Sequence, residues 1–401
     1  MAKFLFTTVA IGCLLTAACV QRVLESARPP SVPSEVPENY RAIYREIDAE
    51  IDRQLPLMPL PWGQKKTETA FGVELLAADS NRGEALLNER GFQEAALTLD
   101  RLKTIGVRCV SLSLHYPVLT RNHPRTDEYR DFYRRVADEI RKRGLQVVVE
   151  MGSAFREPEF SQIGVDYRGL KREKFSSGLR EMAEAIVADI RPEFLTILSE
   201  PDTQTRNTGL SFSPAEFAAT VARVAKGLDR PGVKLGAGAK SWAAEDYFKA
   251  LADIPELDYL DFHIYAVQYG LASDRILRAV ELARAKGKRV SIGKAWLYKV
   301  SGREFNRISP VEAVARDAFS FWQPLDADFI QLVVNLARTI DAEFCSFFWM
   351  KYLYAYIEHT AETSRLYPVQ IMQLSDHAAA ENILKANLSP TGERFRELIK
   401  K

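Results

Sequence analysis

Short apolar runs and helical stripes alternate along most of the chain. In the helical segments, apolar residues recur every three or four positions, as Tyr129, Phe132, Val136 and Ile140 do. The apolar runs cover residues 70–75, 107–114, 146–150, 194–199, 233–237, 259–265, 289–292 and 343–349. Because the strand-then-helix unit repeats along the whole chain, we predict an α/β fold, a closed (β/α)8 TIM barrel, with an open doubly wound sheet as the alternative.

Helix-end signals in the sequence agree with the predicted alternation of strands and helices. Residues 213–216 and 309–312 each place serine at the N-cap, proline at the first helical position and glutamate three residues after the serine, which is the pattern of a capping box. Gly106, Gly144 and Gly287 stand just before three predicted strands, where glycine commonly ends a helix. The predicted helices therefore have defined ends.

Two long segments follow predicted strands. Residues 201–213 come after the fourth strand, and residues 351–390 come after the eighth. Both are longer than a barrel connection needs, and long loops at the carboxyl ends of barrel strands commonly determine specificity. We therefore expect both segments to lie over the mouth of the barrel as extended loops.

The first residues resemble a bacterial export signal. Lys3 supplies positive charge, and the apolar run over residues 4–15 is shorter than the ~20 residues that a membrane-spanning helix needs. Small residues precede Cys19, as in bacterial lipoprotein signals, although Thr16 stands where leucine is usual. We predict that residues 1–18 are a signal peptide, that Cys19 is lipidated, and that the protein is an exported, periplasmic or cell-envelope lipoprotein; an uncleaved anchor helix is the alternative.

Two further segments separate this signal from the barrel. Residues 19–39 are rich in proline, serine and glutamate, a composition that suits a linker. Residues 40–66 are predicted to hold an N-terminal helix and the segment leading into the barrel, which we assign to residues 67–401. An apolar stripe on this helix, expected to pack on the barrel, consists of Tyr40, Ile43, Tyr44, Ile47 and Ile51.

Composition excludes several classes of function. The chain of 401 residues has a net charge of +1 and no basic run with interleaved aromatic residues, so nucleic-acid binding is not expected. The 5 histidines are scattered, and neither paired Cys-x-x-Cys motifs nor a His-Glu-x-x-His motif occurs. The sequence therefore indicates no metal and no cofactor, and it carries no signal for an oligomeric state.

Two cysteines fall inside predicted strands. Cys109 lies on the second strand and Cys345 on the eighth, so the first strand would separate them in a closed barrel. Two strand spacings of ~4.8 Å each exceed the Cα separation of ~7 Å that a disulfide spans. We therefore predict two buried free thiols.

Two predicted strands end abruptly in a charged residue. The fourth presents Glu200 and the seventh presents Lys294 at the rim of the barrel. Pro201 cannot donate a backbone hydrogen bond, so we expect the Glu200 carboxyl to face the opening. Partial burial there would raise the pKa of Glu200 towards that of a general acid, whereas a nearby Lys294 would lower it.

Four motifs, in this order along the chain, resemble the retaining glycoside hydrolases of clan A. Ser199-Glu200-Pro201 is similar to their Asn-Glu-Pro after the fourth strand, and His263-Ile264-Tyr265 is similar to their His-x-Tyr after the sixth. Trp349 and residues 388–392 resemble their sugar-stacking tryptophan and final loop. The resemblance covers residues 67–401 and implies a carbohydrate substrate, Glu200 as acid/base with His263 and Tyr265 orienting its partners, and a nucleophilic glutamate at the position of Lys294.

Lys294 departs from that pattern and leaves three interpretations open. An ammonium can neither attack an anomeric carbon nor stabilise an oxocarbenium-like transition state. In the first interpretation another carboxylate, Glu74, Glu150 or Asp202, serves in an inverting reaction with carboxyls roughly 6.5–9.5 Å apart. In the second, Lys294 forms a Schiff base, its pKa lowered by burial or by the cation of Lys240.

The third interpretation is a carbohydrate-binding protein that has lost hydrolysis, in which Lys294 and Glu200 form a neutral pair. Aromatic side chains at the mouth would stack on the sugar. Besides His263 and Tyr265, the proposed ligand contacts are Glu74, His115, Glu150, Ser199, Trp242, Trp296 and Trp349. We therefore interpret the chain as a glycoside hydrolase-like protein that acts on or binds an oligo- or polysaccharide at the cell envelope.

Overall fold

Eight parallel strands close into a barrel in the computed structural model, which describes residues 32–57, 67–265, 274–305 and 307–400. The strands are β1 (Ala70–Glu74), β2 (Cys109–Tyr116), β3 (Gln146–Ser153), β4 (Phe194–Thr196), β5 (Lys234–Lys240), β6 (Tyr259–Ile264), β7 (Arg289–Ala295) and β8 (Phe344–Phe347). Each pairs with its sequence neighbours, and β1 pairs with both β2 and β8. The predicted (β/α)8 barrel is confirmed.

Helices connect the strands, and some of their ends match the predicted signals. In the described ranges the α-helices span Arg41–Gln54, Glu89–Ile105, Thr126–Lys142, Arg172–Ala185, Pro201–Thr208, Pro214–Ala225, Glu245–Ala252, Asp274–Ala285, Pro310–Arg316, Gln323–Thr339, Pro368–Lys385 and Pro390–Lys400. Ser213 and Glu216 form the predicted reciprocal capping box. Gly106 ends a helix with a φ of +102°, a conformation that side chains other than glycine rarely adopt.

Alternation along the strands places one set of side chains inside the barrel. Near the amino ends of the strands this set is apolar, and the rings of Phe194 and Phe344 lie 4.9 Å apart. The buried cluster consists of Ala70, Cys109, Val148, Phe194, Tyr259 and Phe344. On β3 the same alternation places Glu150 inside the barrel, two residues after Val148. On β6 it places Asp261 and then His263 inside, two and four residues after Tyr259. An apolar core therefore closes one end of the barrel, and charged side chains line the other.

A β-bulge in β7 sets the orientation of Lys294. Up to Ile292 the strand pairs regularly with β6, but His263 then pairs with Lys294 and not with Gly293. Gly293 is the extra residue, and a side chain at this position would collide with the Asp261 carboxylate. The bulge therefore turns Lys294 to the same face as His263, towards the mouth.

The two strand cysteines are buried free thiols. Cys109 begins β2 and Cys345 lies on β8, with β1 between the two strands as predicted. Burial raises the pKa of the Cys109 thiol to about 12, so it stays protonated and unreactive. The prediction of free thiols is confirmed.

The N-terminal helix, Arg41–Gln54, packs on the barrel through its predicted stripe. Tyr44 stacks on Trp322, with ring centroids 5.8 Å apart, and Ile47 is fully buried. Val36, which the linker prediction included, is also buried, so the chain contacts the barrel before the helix begins. Cys19 and the predicted signal lie outside the described residues, and no helix within those residues is long and apolar enough to cross a membrane.

The two long segments contain helices that we predicted as loops. Residues 201–208 form a helix that begins at Pro201 and ends at Gly209, which has a φ of +76°. The segment after β8 contains the helix Pro368–Lys385. Proline at the first helical position and glycine just past the last were the signals for the first of these helices.

Lys299, Asp317 and Asp326 form a buried ion triad in the segment between β7 and β8. The Lys299 Nζ lies 2.5 Å from Asp326 Oδ1 and 3.5 Å from Asp317 Oδ1, and none of the three side chains is more than 1% exposed. Tyr356, after β8, donates a hydrogen bond of 2.8 Å to Asp326 Oδ2. Burial raises the pKa of Asp317 to about 7 even though Lys299 lowers it. The triad therefore ties together the segments on both sides of β8.

Candidate functional site at the barrel mouth

A cavity of about 160 Å³ opens at the carboxyl ends of the strands and brings most of the predicted site residues together. Its polar lining includes His115, Glu150, Ser199, Glu200, Lys240 and Lys294. Its aromatic lining includes Phe155, Phe160, Tyr265, Tyr298, Phe348 and Trp349. A pocket with apolar walls and a few convergent polar groups is the usual form of a small-ligand site.

Glu200 lies just beyond β4 as the N-cap of the helix Pro201–Thr208, and it adopts a left-handed conformation with a φ of +53°. Its Oε1 accepts hydrogen bonds from His263 Nδ1 at 2.7 Å and from the Tyr265 hydroxyl at 2.8 Å. Its Oε2 accepts from the Thr203 hydroxyl at 2.6 Å and lies 3.2 Å from Lys240 Nζ. Both carboxylate oxygens are therefore fully engaged.

The charges around Glu200 reverse the pKa shift that burial alone would cause. Burial raises the pKa of this carboxyl, but Lys240, His263 and Lys294 together hold it well below its usual range. Of the two opposing shifts predicted for Glu200, the lowering by nearby cations prevails, because cations and hydrogen-bond donors outweigh desolvation. Glu200 is an ionised carboxylate at neutral pH.

Lys294 lies between two other carboxylates. Its Nζ is 3.5 Å from Glu150 Oε2 and 3.6 Å from Glu74 Oε2, and 5.0 Å from the centre of the Phe348 ring. The predicted direct pairing of Lys294 with Glu200 is wrong, because Lys240 occupies the position next to that carboxylate. Glu74, which is almost fully buried, balances the charge of Lys294 together with Glu150.

The charge state of the two lysines opposes Schiff-base chemistry. Burial lowers the pKa of Lys294, but the opposite effect of Glu150 and Glu74 is larger. The pKa of Lys294 is therefore above that of an ordinary lysine. The pKa of Lys240 is likewise raised by Glu200 and Asp202 against the effect of burial. Both side chains remain ammonium groups, whereas a Schiff base forms from the neutral amine.

His263 is a buried imidazolium. Its Nε2 lies 3.4 Å from Asp261 Oδ2 and 3.6 Å from Glu150 Oε1, while Nδ1 contacts Glu200. Burial lowers the pKa of His263, but the three carboxylates raise it to about 10. His263 therefore acts as a fixed cation and hydrogen-bond donor between Glu150 and Glu200.

The residues after β1 and at the end of β2 form a less charged side of the mouth. Burial, reinforced by Lys294, lowers the pKa of His115 to about 3, so its ring is neutral and lies 2.8 Å from the Ser80 hydroxyl. Burial raises the pKa of Glu74 to about 7 and that of Asp79 to about 6. Ser199 donates a hydrogen bond of 2.6 Å to Glu150 Oε1.

The three predicted tryptophans have different surroundings. Trp349 lines the cavity beside Phe348, with ring centroids 4.6 Å apart. Trp242 packs edge-on against Tyr265 at 6.2 Å and does not line the cavity. Trp296 is fully buried and stacks on Tyr352, so its predicted role as a sugar platform is wrong. Trp296 is the first residue after β7, and its side chain packs in the core.

Residues that sequence reasoning missed also line the cavity, among them Asp79, Arg206 and Tyr298. Each lies in a segment that follows a strand, where side chains reach the mouth of a barrel. Residues 201–213 were expected over the mouth, so a charged side chain within them was a detectable candidate. Among the described residues, no group of His, Cys, Asp and Glu side chains is arranged to hold a metal ion.

Solved structures match the chain, although no family model and no curated protein does. The exo-β-1,4-mannosidase Op5Man5 from an Opitutaceae bacterium matches with a TM-score of 0.53 at 14% identity, over 85% of this chain and 60% of that chain. GH5_18 from Streptomyces cattleya, in complex with GlcNAc, matches with a TM-score of 0.53 at 14% identity, over 84% of this chain and 80% of that chain. At this identity the two matches show the fold alone, a (β/α)8 barrel.

A third match supports the same fold. GH5_18 from Bifidobacterium longum subsp. longum matches with a TM-score of 0.54 at 13% identity, over 83% of this chain and 79% of that chain. The chain therefore spans about three fifths of Op5Man5 and most of the GH5_18 proteins. The function has to be argued from the site, because one fold hosts many activities.

Proposed function

We propose that this clan A-like barrel binds a carbohydrate in its mouth without hydrolysing it. The observation that carries the proposal is the Lys294 ammonium, which stands between Glu74 and Glu150 at the position where the resemblance places a nucleophilic glutamate. A retaining reaction needs a carboxylate there to form the glycosyl-enzyme intermediate. An ammonium cannot form that bond.

The state of Glu200 supports the same proposal. A general acid must carry a proton at working pH, and its pKa is normally raised for that purpose. Lys240 and His263 instead keep Glu200 ionised, with four donors around its two oxygens. Glu200 serves as a counter-ion for these cations and as a fixed part of the binding surface.

The cavity lining supports a sugar as the ligand. Trp349, Phe348 and Tyr298 offer aromatic faces beside charged groups, a combination that suits stacking against a sugar ring and hydrogen bonding to its hydroxyls. Op5Man5 is named as a mannosidase, and a GH5_18 structure contains GlcNAc. These neighbours support carbohydrate binding as the class of function.

Saccharide binding without turnover is the expected result. Isothermal titration with a panel of cell-envelope and plant oligosaccharides should detect saturable binding, while reducing-end assays on the same panel detect no release. Trp349→Ala should weaken binding about tenfold, because the stacking face is lost, whereas Trp349→Phe should retain most of it. Reducing ends released by the parent but not by Glu200→Gln would contradict the proposal.

We also propose that the protein is exported and anchored through a lipid on Cys19. Cys19→Ser is expected to move the protein from the membrane fraction to the soluble envelope fraction, because one lipid-bearing residue is lost. Cys13→Ser, within the same predicted signal, is the matched control and should stay with the membrane. Fractionation of the producing cells measures both variants, and a Cys19→Ser protein that stays with the membrane would refute the anchor.

A further inference from the structure

Two of the carboxylates that line the cavity, Glu150 and Glu200, have little capacity left for a ligand. Glu200 accepts three hydrogen bonds and lies beside Lys240. Glu150 accepts a hydrogen bond from Ser199 and lies close to both Lys294 and His263. A ligand that offers mainly donors would therefore compete with contacts already made.

Two cations on the cavity surface, Lys294 and Arg206, still have N–H groups available for a ligand. Lys294 Nζ comes no closer than 3.5 Å to any carboxylate oxygen of the described residues, and Arg206 comes within 3.9 Å of Glu157 Oε1. Neither side chain donates a hydrogen bond to another described residue. The Arg206 side chain is 43% exposed, and the Lys294 side chain is 13% exposed. Their N–H groups can therefore donate hydrogen bonds to a ligand in the mouth.

Arg206 is well placed to contact a ligand. It lies in the last turn of the helix Pro201–Thr208 and lines the same cavity as Trp349. Its guanidinium carbon lies 5.8 Å from the centre of the Phe155 ring, which supports the planar group from one side. The guanidinium fork matches the two oxygens of a carboxylate better than a single hydroxyl.

We propose that the saccharide bound in this mouth carries a carboxylate, as a uronic acid does, and that Arg206 binds this carboxylate while Lys294 contacts neighbouring ligand oxygens. This inference rests on the proposed carbohydrate-binding function and names its ligand class. A neutral sugar also offers acceptor oxygens, but hydrogen bonds between two charged groups are roughly twice as strong as neutral ones. Two cations with unused donors therefore favour the acidic sugar.

Paired ligands test the proposal directly. Oligouronides with mannuronic, galacturonic or glucuronic acid units are compared with their carboxyl-reduced counterparts, which keep the same rings and linkages. The parent protein should bind at least one oligouronide about tenfold more tightly than its reduced partner, and raised salt should shrink this preference. Isothermal titration measures all pairs.

Arg206 variants show which group recognises the carboxylate. Arg206→Gln should remove the preference, so that an oligouronide and its reduced partner bind with similar affinity, and Arg206→Lys should restore part of it. Arg90→Gln is the matched control, because Arg90 is 89% exposed on the outer helix Glu89–Ile105 and should change neither affinity. Thermal unfolding confirms that each variant is folded.

Each outcome decides a different claim. Equal binding of both members of every pair, or a preference that persists in Arg206→Gln, would overturn the acidic-sugar inference and leave carbohydrate binding intact. Tighter binding of sulfated than of carboxylated oligosaccharides would overturn the carboxylate assignment. Binding of neither member of any pair would overturn the proposed function itself.

Discussion

Lys294→Glu is expected to lower the free energy of unfolding by about 3–5 kcal/mol and to leave the protein without glycosidase activity. Lys294 is the cation between Glu74 and Glu150, so the change would place three carboxylates together where the structure has two carboxylates and one ammonium. Hydrolysis should not appear, because Lys240 and His263 still keep Glu200 ionised. Urea unfolding and aryl-glycoside hydrolysis measure the two effects.

Two further variants make this experiment specific. Lys226→Glu reverses an exposed charge on the surface and should change stability by no more than about 0.5 kcal/mol. Combining Lys294→Glu with Glu74→Gln should recover part of the lost stability, because one of the crowded carboxylates is removed. Glycoside hydrolysis gained by Lys294→Glu would show that Glu200 can act as an acid, and it would contradict a binding-only function.

Lys299→Met should destabilise the fold by about 3–5 kcal/mol at neutral pH. The substitution keeps the length of the side chain but removes the only cation of the buried triad, which leaves Asp317 and Asp326 without a counter-ion within the triad. Both side chains are only 1% exposed, so water cannot replace the lost partner. Urea unfolding of the variant and the parent measures the difference.

The loss caused by Lys299→Met should depend on pH. Burial raises the pKa of Asp317 to about 7, above its value in an unfolded chain, so protonation of this carboxyl favours the folded state. The deficit should therefore be largest above pH 7 and should shrink as the pH falls below that value. Adding Asp317→Asn to the Lys299→Met variant should also recover stability, because it removes the same buried negative charge that protonation removes. A deficit that is equal at pH 5 and pH 8 would contradict this account.

The strands were predictable because alternation and length are local properties of the sequence. The run around Tyr259 places Asp261 and His263 on one face whatever the rest of the fold does, and the capping box at Ser213 fixes a helix start by contacts within four residues. The helix Pro201–Thr208 was missed because its short polar sequence has no apolar stripe, although proline and glycine mark its ends.

The pairing of charges was not predictable from the sequence. Lys294 follows Ser291 by three positions, so regular alternation would have turned it towards the helices, and only the bulge at Gly293 brings it inside. The choice between Lys240 and Lys294 as the neighbour of Glu200 depends on distances across the barrel that no local pattern encodes. Trp296 was misassigned for a similar reason, since the turn of the chain after β7 decides which side of the rim it occupies.

The engagement of Glu200 with Lys240 and His263 has a consequence for interpreting other barrels. Removing this glutamate would take away the carboxylate that Lys240 and His263 share, so its loss would destabilise the fold. Under the proposed binding-only function, a glutamate followed by proline after the fourth strand serves as a counter-ion and not as a catalyst. Its presence alone is a poor marker of catalytic competence, and the residue at the end of the seventh strand is the more informative one to inspect.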